Sequence, residues 1–242
     1  MLLVYDRWVE TNTESIIRLA WARTLGLDDD ALLRPAEGRL TRVDESVIMF
    51  VALWEHRILI APSEVLPVAT ERTHGELADG STLLALTGGR RGRLLGEAVL
   101  SFTDAYVSVP GIQSVAVADD APTVAALERS CPPDDVAEAG LSLMSRHFVT
   151  LDDEDVPTAA AGYAESQGIL AAVGVLVPPE LRRSGHGTMA SAIATNDALD
   201  AGLIPQWRAR RGHRGSTALA RRLGYRQIGA QTTVLLGPVA SA

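Results

Sequence analysis

The chain has 242 residues, 47% of them hydrophobic, which is enough for a substantial core in one large or two small domains and excludes disordered and collagen-like classes. All 22 basic residues are arginine and the net charge is −8, so lysine is absent from any mechanism and no Schiff base is available. No apolar run approaches the roughly 18 residues of a membrane-spanning helix, and MLLVYDRWVE has no basic lead, so a soluble cytoplasmic protein is the expectation.

In chain order, residues 13–25 (TESIIRLAWARTL) carry apolar residues at 16, 17, 19, 20 and 25, the spacing of an amphipathic helix, opened by a capping-box-like region at Thr11 to Ser15. Residues 46–53 and 57–61 are dense in Val, Ile, Phe and Leu and predict two strands around WEHR, with Trp54 and His56 as turn and core residues. The texture changes near Val109-Pro110-Gly111, which sets an expected boundary between domains at 1–110 and 111–242.

The second part predicts a strand over 114–117, helices over 121–130 and 134–141, and strands over 147–151, 158–165 and 169–177. A helix over 188–201, a strand over 204–209, a helix over 216–223 and a strand pair over 226–236 complete it. This order, a meander of strands followed by two βα crossovers, reads as α+β.

The single Cys131 excludes an internal disulfide, a zinc knuckle or a redox pair, and its setting SCPPDD suits a small buried residue at a helix end. No metal site is expected.

Charge is unevenly spread. From Gly168 onward nine arginines face only Glu180, Asp197 and Asp200, a balance of +6, which leaves −14 for residues 1–167. The last third would draw a polyanion and the rest a cation. Nucleic acid is not the expected polyanion, because the rest of the chain is acidic and no series of stacking aromatics accompanies the arginines.

The stretch VGVLVPPELRRSGHGTMASAIA, Val173 to Ala194, joins a strand to a helix through a Gly-x-Gly. A helix N-terminus presents unpaired N–H groups and a positive dipole end, and glycines let a phosphate approach them. The P-loop pattern fails because no Lys-Ser/Thr follows the glycines. The loose dinucleotide pattern Gly185-His-Gly-Thr-Met-Ala190 is met. Seven residues, 178–184, separate it from its strand, however, and too little chain follows for a second mononucleotide half.

Val177-x-Pro179-x-x-Arg182-x-x-Gly185-x-Gly187 resembles instead the acetyl-CoA signature of the GCN5-related N-acetyltransferase (GNAT) superfamily. Residues 202–210 (GLIPQWRAR) sit where that family has its fifth strand, and His213 to Tyr225, closing on Leu223-Gly224-Tyr225, resembles its following helix and turn. The resemblance covers Ser114 to Leu236. It implies a GNAT fold: a mixed, mostly antiparallel twisted sheet flanked by helices, in which the central strands, one ending at Val177 and the other starting at Ile204, splay apart. An N-terminal accessory domain precedes it, for which a degenerate copy of the same fold is one option.

The resemblance further implies acetyl-CoA as co-substrate. Val175 and Val177 would hold the pantetheine arm, and Arg182, Arg183, Ser184, Gly185, His186, Gly187 and Thr188 the pyrophosphate. His213 stands in the family's asparagine position and Ala220 in that of its tyrosine acid, and the expected strand glutamate is missing. Glu165 is therefore the candidate base, with Asp135 and Glu138 as substitutes, and Ser216 and Tyr225 are candidate proton donors; Ser216 also reaches the cofactor side. Trp207 would wall the acyl or substrate pocket, with core packing as the other reading.

The implied activity is acetyl transfer to a primary amine of a small, cationic metabolite bound between the two parts, with a homodimer left open and neither membrane nor nucleic acid as partner. Two alternatives stay open: a non-catalytic acyl-CoA-binding protein, and a related enzyme using another acyl-CoA or different CoA-thioester chemistry.

Overall fold

The computed structural model describes residues 11–238. Helix α1 (Thr11–Thr24) is followed by strands β1 (Arg39–Val43), β2 (Val47–Leu53) and β3 (His56–Ala61). Three short helices, α2 (Leu66–Thr70), α3 (His74–Leu77) and α4 (Gly80–Ala85), lead to the long strand β4 (Gly92–Phe102). Thr73 and Glu76 form a reciprocal capping box on α3 and Asp79 caps α4, so even these short segments have their first N–H groups satisfied.

The second part runs β5 (Val117–Ala118), α5 (Ala121–Arg129), α6 (Pro133–Ala139), β6 (Arg146–Leu151), β7 (Pro157–Ser166) and β8 (Leu170–Leu176). It ends with α7 (His186–Asp200), β9 (Ile204–Arg210), α8 (Arg214–Arg222) and β10 (Arg226–Leu236). Asp120 caps α5, and left-handed Gly140 closes α6.

All ten strands form one mixed sheet in the order β1-β3-β2-β10-β4-β9-β8-β7-β6-β5. Among the described residues only β1/β3 and β8/β9 pair in parallel. With helices packed on both faces, the architecture is α+β, as the element order predicts. The sheet runs unbroken across the expected boundary at 110: β4, before it, lies between β9 and β10, and β10 in turn lies against β2.

The core follows strand alternation. Met49, Val51 and Leu53 face α1, whereas Ile48 and Phe50 face α2 to α4. On β7, Ala159 and Ala161 face α7 while Ala160 faces α5. Helix α1 buries Ile17, Ala20 and Trp21, and the turn after it Leu25, against β2 and β3 and also against Leu170 and Ile204 of the second part. Each large side chain so buried contributes about 1.5–3 kcal/mol, and Trp21 Nε1 adds a hydrogen bond to Gln206 Oε1 at 3.1 Å. The helix is thereby fixed over the start of β9.

Three expectations need correction. Residues 114–117 are not a strand: Ser114 and Val115 donate to the Gly111 carbonyl in a turn, and only Val117 and Ala118 are extended. The strand pair over 226–236 is one eleven-residue strand, because Gly229 makes no turn but lies flush against β2, where a Cβ would fall 2.1 Å from the Ala52 carbonyl oxygen. Strands β1 and β4 were not foreseen. His56 is a buried core residue as expected, joined to Arg18 through Nδ1 at 2.9 Å and to the Arg34 carbonyl through Nε2 at 3.0 Å.

Candidate active site

The central parallel pair β8/β9 is in register only from Leu170↔Ile204 to Val173↔Trp207. Beyond that point β8 stays with β7 and β9 stays with β4, so the strands part as the resemblance implies. The facing edges at residues 174–176 and 208–210 then have no strand partner, and backbone groups left this way need one from elsewhere.

At the mouth of this opening the chain turns from β8 into α7. Arg183 (φ 66°) and Gly185 (φ 96°) are both left-handed, and no side chain caps α7. A helix start without a side-chain cap leaves its first N–H groups open to an anion. Gly187 lets the first turn of α7 close on β8: a Cβ there would lie 3.1 Å from Val177 Cγ2.

The opening, the loop and α8 enclose a cleft of about 710 Å³. Val175, Val177, Arg182, Arg183, Gly185, Gly187, Thr188, His213 and Ser216 all line it, so the structure brings together nine of the predicted cofactor positions. Ser184 and His186 do not; they line an adjoining cavity of about 560 Å³ that shares Gly185, Thr188 and Arg222 with the cleft.

The cleft's charges are partly committed. Arg182 donates to the Val177 carbonyl at 3.1 Å and pairs with Asp135 of α6, and Arg210 pairs with Glu138 one turn further on. Asp135 and Glu138, the substitute bases, are therefore ion-pair partners that tie α6 across the cleft. Arg183 and Arg222 have no ion-pair partner among the described residues and remain available to an anion.

On the α8 side, His213 caps the helix by accepting the Ser216 N–H at Nδ1, 3.0 Å away. Ser216 Oγ accepts the Trp207 indole N–H at 2.9 Å, which leaves the hydroxyl proton free to donate. Trp207 lines the cleft, as expected for a pocket wall.

Tyr225 requires a correction. It is 3% exposed, bonded to Thr195 Oγ1 at 2.8 Å and packed edge-on against Trp207, and burial pushes its pKa far above the usual tyrosine value. A hydroxyl so placed does not reach the cleft, and its role is packing under α8. Glu165, the candidate base, lines a second cavity of about 350 Å³ on the α1 side that meets the cleft at Ala172 and Arg208. Burial pushes the Cys131 thiol pKa up, which fits a packed residue rather than a nucleophile.

Sequence reasoning missed Arg222, Leu219 and Arg208 of the cleft. The signal for the first two was the spacing of 215, 219 and 222, which puts one face of α8 on the cleft. Among the described residues no group of three or more potential metal ligands occurs, and no helix is long and apolar enough to cross a membrane.

No protein-family model matches the chain, and no curated protein is similar to it. Solved structures are. A GNAT-family acetyltransferase from Novosphingobium aromaticivorans aligns at 19% identity and TM-score 0.48, over 62% of this chain and 68% of that one. A GCN5-related N-acetyltransferase from Kribbella flavida aligns at 20% and 0.45, over 65% and 64%. A third, from Sphaerobacter thermophilus, aligns at 12% and 0.47 over 96% and 95%. These similarities concern architecture, at low sequence identity.

Proposed function

We propose that this chain is a GNAT-type acyl-CoA-dependent N-acetyltransferase acting on a primary amine of a small metabolite. The observation that carries the reading is the coincidence of two features: β8 and β9 part after Val173 and Trp207, and an uncapped α7 opens with Gly-x-Gly at the mouth of the gap. Acetyl-CoA fits both. Free strand edges suit the amide groups of pantetheine, as in strand addition, and the α7 start with Arg183 and Arg222 suits its phosphates.

When bound, acetyl-CoA supplies an activated acyl carbon: the amine nitrogen bonds to it, the carbon–sulfur bond breaks with its electrons leaving on sulfur, and the amine's proton ends on the thiol. The chain's own part is positioning. Val175 and Val177 hold the arm, Trp207 walls the acyl end, and the Ser216 hydroxyl can donate towards the departing sulfur. The −14 balance of residues 1–167 favours an acceptor bearing positive charge.

A non-catalytic acyl-CoA binder is the second reading, favoured by the engagement of Asp135 and Glu138 in ion pairs. The test is calorimetric titration of acetyl-CoA into wild type and Gly187→Trp, then thiol release across an amine panel. Binding lost in the variant, with thiol released for some amine, supports the transferase. Binding without release supports the second reading, and no binding refutes both.

A further inference from the structure

Across the β8/β9 opening from the large cleft lies the cavity of about 350 Å³, built by both halves of the chain. Helix α1 contributes Trp21, the turn before β2 Asp44, the β7–β8 hairpin Glu165, and β10 Gln231. Ala172 and Arg208 line this cavity and the cleft alike, so the two meet at these residues.

Two charged groups on this cavity, Arg208 and Glu165, have no side-chain partner among the described residues. The Arg208 guanidinium makes no hydrogen bond or ion pair with any described residue, although Arg210 beside it is held by Glu138. By area Arg208 is open to solvent, yet the protein crowds its guanidinium enough that desolvation pushes the pKa down.

An arginine where two cavities meet, with no acid of the described residues against it and partly desolvated by its surroundings, is open to an anion from a ligand. The other charges are largely spoken for: Arg42 donates to the Leu25 carbonyl and to Asp44, which also accepts from Ser46. Glu165 has no partner among the described residues and places a carboxylate on the same cavity. Arg208 thus calls for an anionic function and Glu165 for an N–H-bearing one in the same small molecule.

We propose that this cavity is the acceptor site and takes a small amine that also carries a carboxylate, an amino-acid-type molecule whose carboxylate is held by Arg208. The proposal rests on the acyltransferase reading and narrows its acceptor: an ammonium balanced by a carboxylate fits, and a polyamine does not.

The test uses matched probes: L-leucine against isopentylamine, L-phenylalanine against phenethylamine, and L-lysine against cadaverine. Each is titrated calorimetrically into wild type, Arg208→Met and Arg208→Lys, and assayed for thiol release with acetyl-CoA. Acetyl-CoA affinity is measured separately for all three proteins. The expected result is that in at least one pair the carboxylate-bearing member binds about 10-fold or more tightly than its partner, the scale of one charged hydrogen bond. Arg208→Met loses that preference and Arg208→Lys keeps part of it, and this loss exceeds any change in acetyl-CoA affinity, since Arg208 also lines the cleft.

The proposal is overturned if no amino acid binds, if the decarboxylated amines bind equally well, or if Arg208→Met keeps the preference. It is equally overturned if that variant weakens acetyl-CoA instead, which would assign Arg208 to the cofactor. Failure of the acyltransferase reading shows differently, as absent acetyl-CoA binding or absent thiol release while the Arg208-dependent preference persists; in that case the carboxylate site stands and its role as acceptor site falls.

Discussion

The indole N–H of Trp207 donates to the hydroxyl oxygen of Ser216 at 2.9 Å, fixing a β9 side chain and an α8 side chain against each other at the wall of the cleft. Ser216 thus accepts with its oxygen, donates its backbone N–H to His213, and keeps its hydroxyl proton for the cleft. Ser216→Ala is expected to lower kcat by about 100-fold, the lower range for a positioned proton donor, with acetyl-CoA affinity little changed. Steady-state kinetics beside calorimetry separates the two effects. A kcat equal to wild type would remove Ser216 from the chemistry.

Tyr225 makes the opposite prediction. Its hydroxyl is bonded to Thr195 in the interior, so Tyr225→Phe removes one buried hydrogen bond and leaves Thr195 to its bond with the Ser191 carbonyl. Stability should fall by about 1 kcal/mol while kcat stays close to wild type. Urea denaturation and the thiol-release assay measure both; a large loss of kcat in a normally stable variant would restore Tyr225 as an acid.

How far the sequence could be read depended on how the chemistry was encoded. The α7 loop was legible because Gly185, Gly187 and the preceding arginines stand at fixed spacing within one segment. Strand β4 was not, because its first half is exposed and reads GRLLG without alternation; it owes its strand to pairing with β9 and β10, which lie more than 100 residues later. Strand β1, with two arginines in five residues, depends likewise on β3. Arg208 was counted in the positive charge, but that it alone of the β9 arginines lacks an acid emerges only when α6 brings Glu138 to Arg210. Glu165 was singled out as the nearest carboxylate to the strand, and the fold puts it on the smaller cavity beside Arg208 rather than in the large cleft.

Gly174 shows how tightly the opening is walled. A Cβ at this position would lie 2.5 Å from Met144 Cε and 2.7 Å from the Ala139 carbonyl oxygen, and the second of these is backbone that cannot step aside. Gly174→Leu should therefore displace the end of α6, costing about 1–3 kcal/mol by overpacking and loosening the Arg210–Glu138 tie across the cleft. Thermal denaturation together with acetyl-CoA titration checks this. Wild-type stability in the variant would mean that α6 is not held against β8.

Asp197 on α7 ties that helix to the sheet, accepting from Tyr163 Oη at 2.6 Å and from Arg146 at 2.9 Å. Burial pushes the Asp197 pKa up, but the hydrogen bonds from Arg146 and Tyr163 outweigh it and leave the carboxyl below its usual value. Tyr163, pushed up to about 12 by burial and by this carboxylate, stays a donor throughout the acid range. Because the folded-state pKa of Asp197 is depressed, its contribution is present above the unfolded value of about 3.9 and is lost as pH falls through the lower folded value. Arg146 is half exposed, so the contribution is about 1 kcal/mol or less. Asp197→Asn should consequently be less stable than wild type at pH 7, with the difference shrinking as pH falls below about 4. Urea unfolding of both proteins at pH 7 and pH 3 measures it, and a difference that does not change with pH would show that the carboxylate's charge is not what holds α7 to β6 and β7.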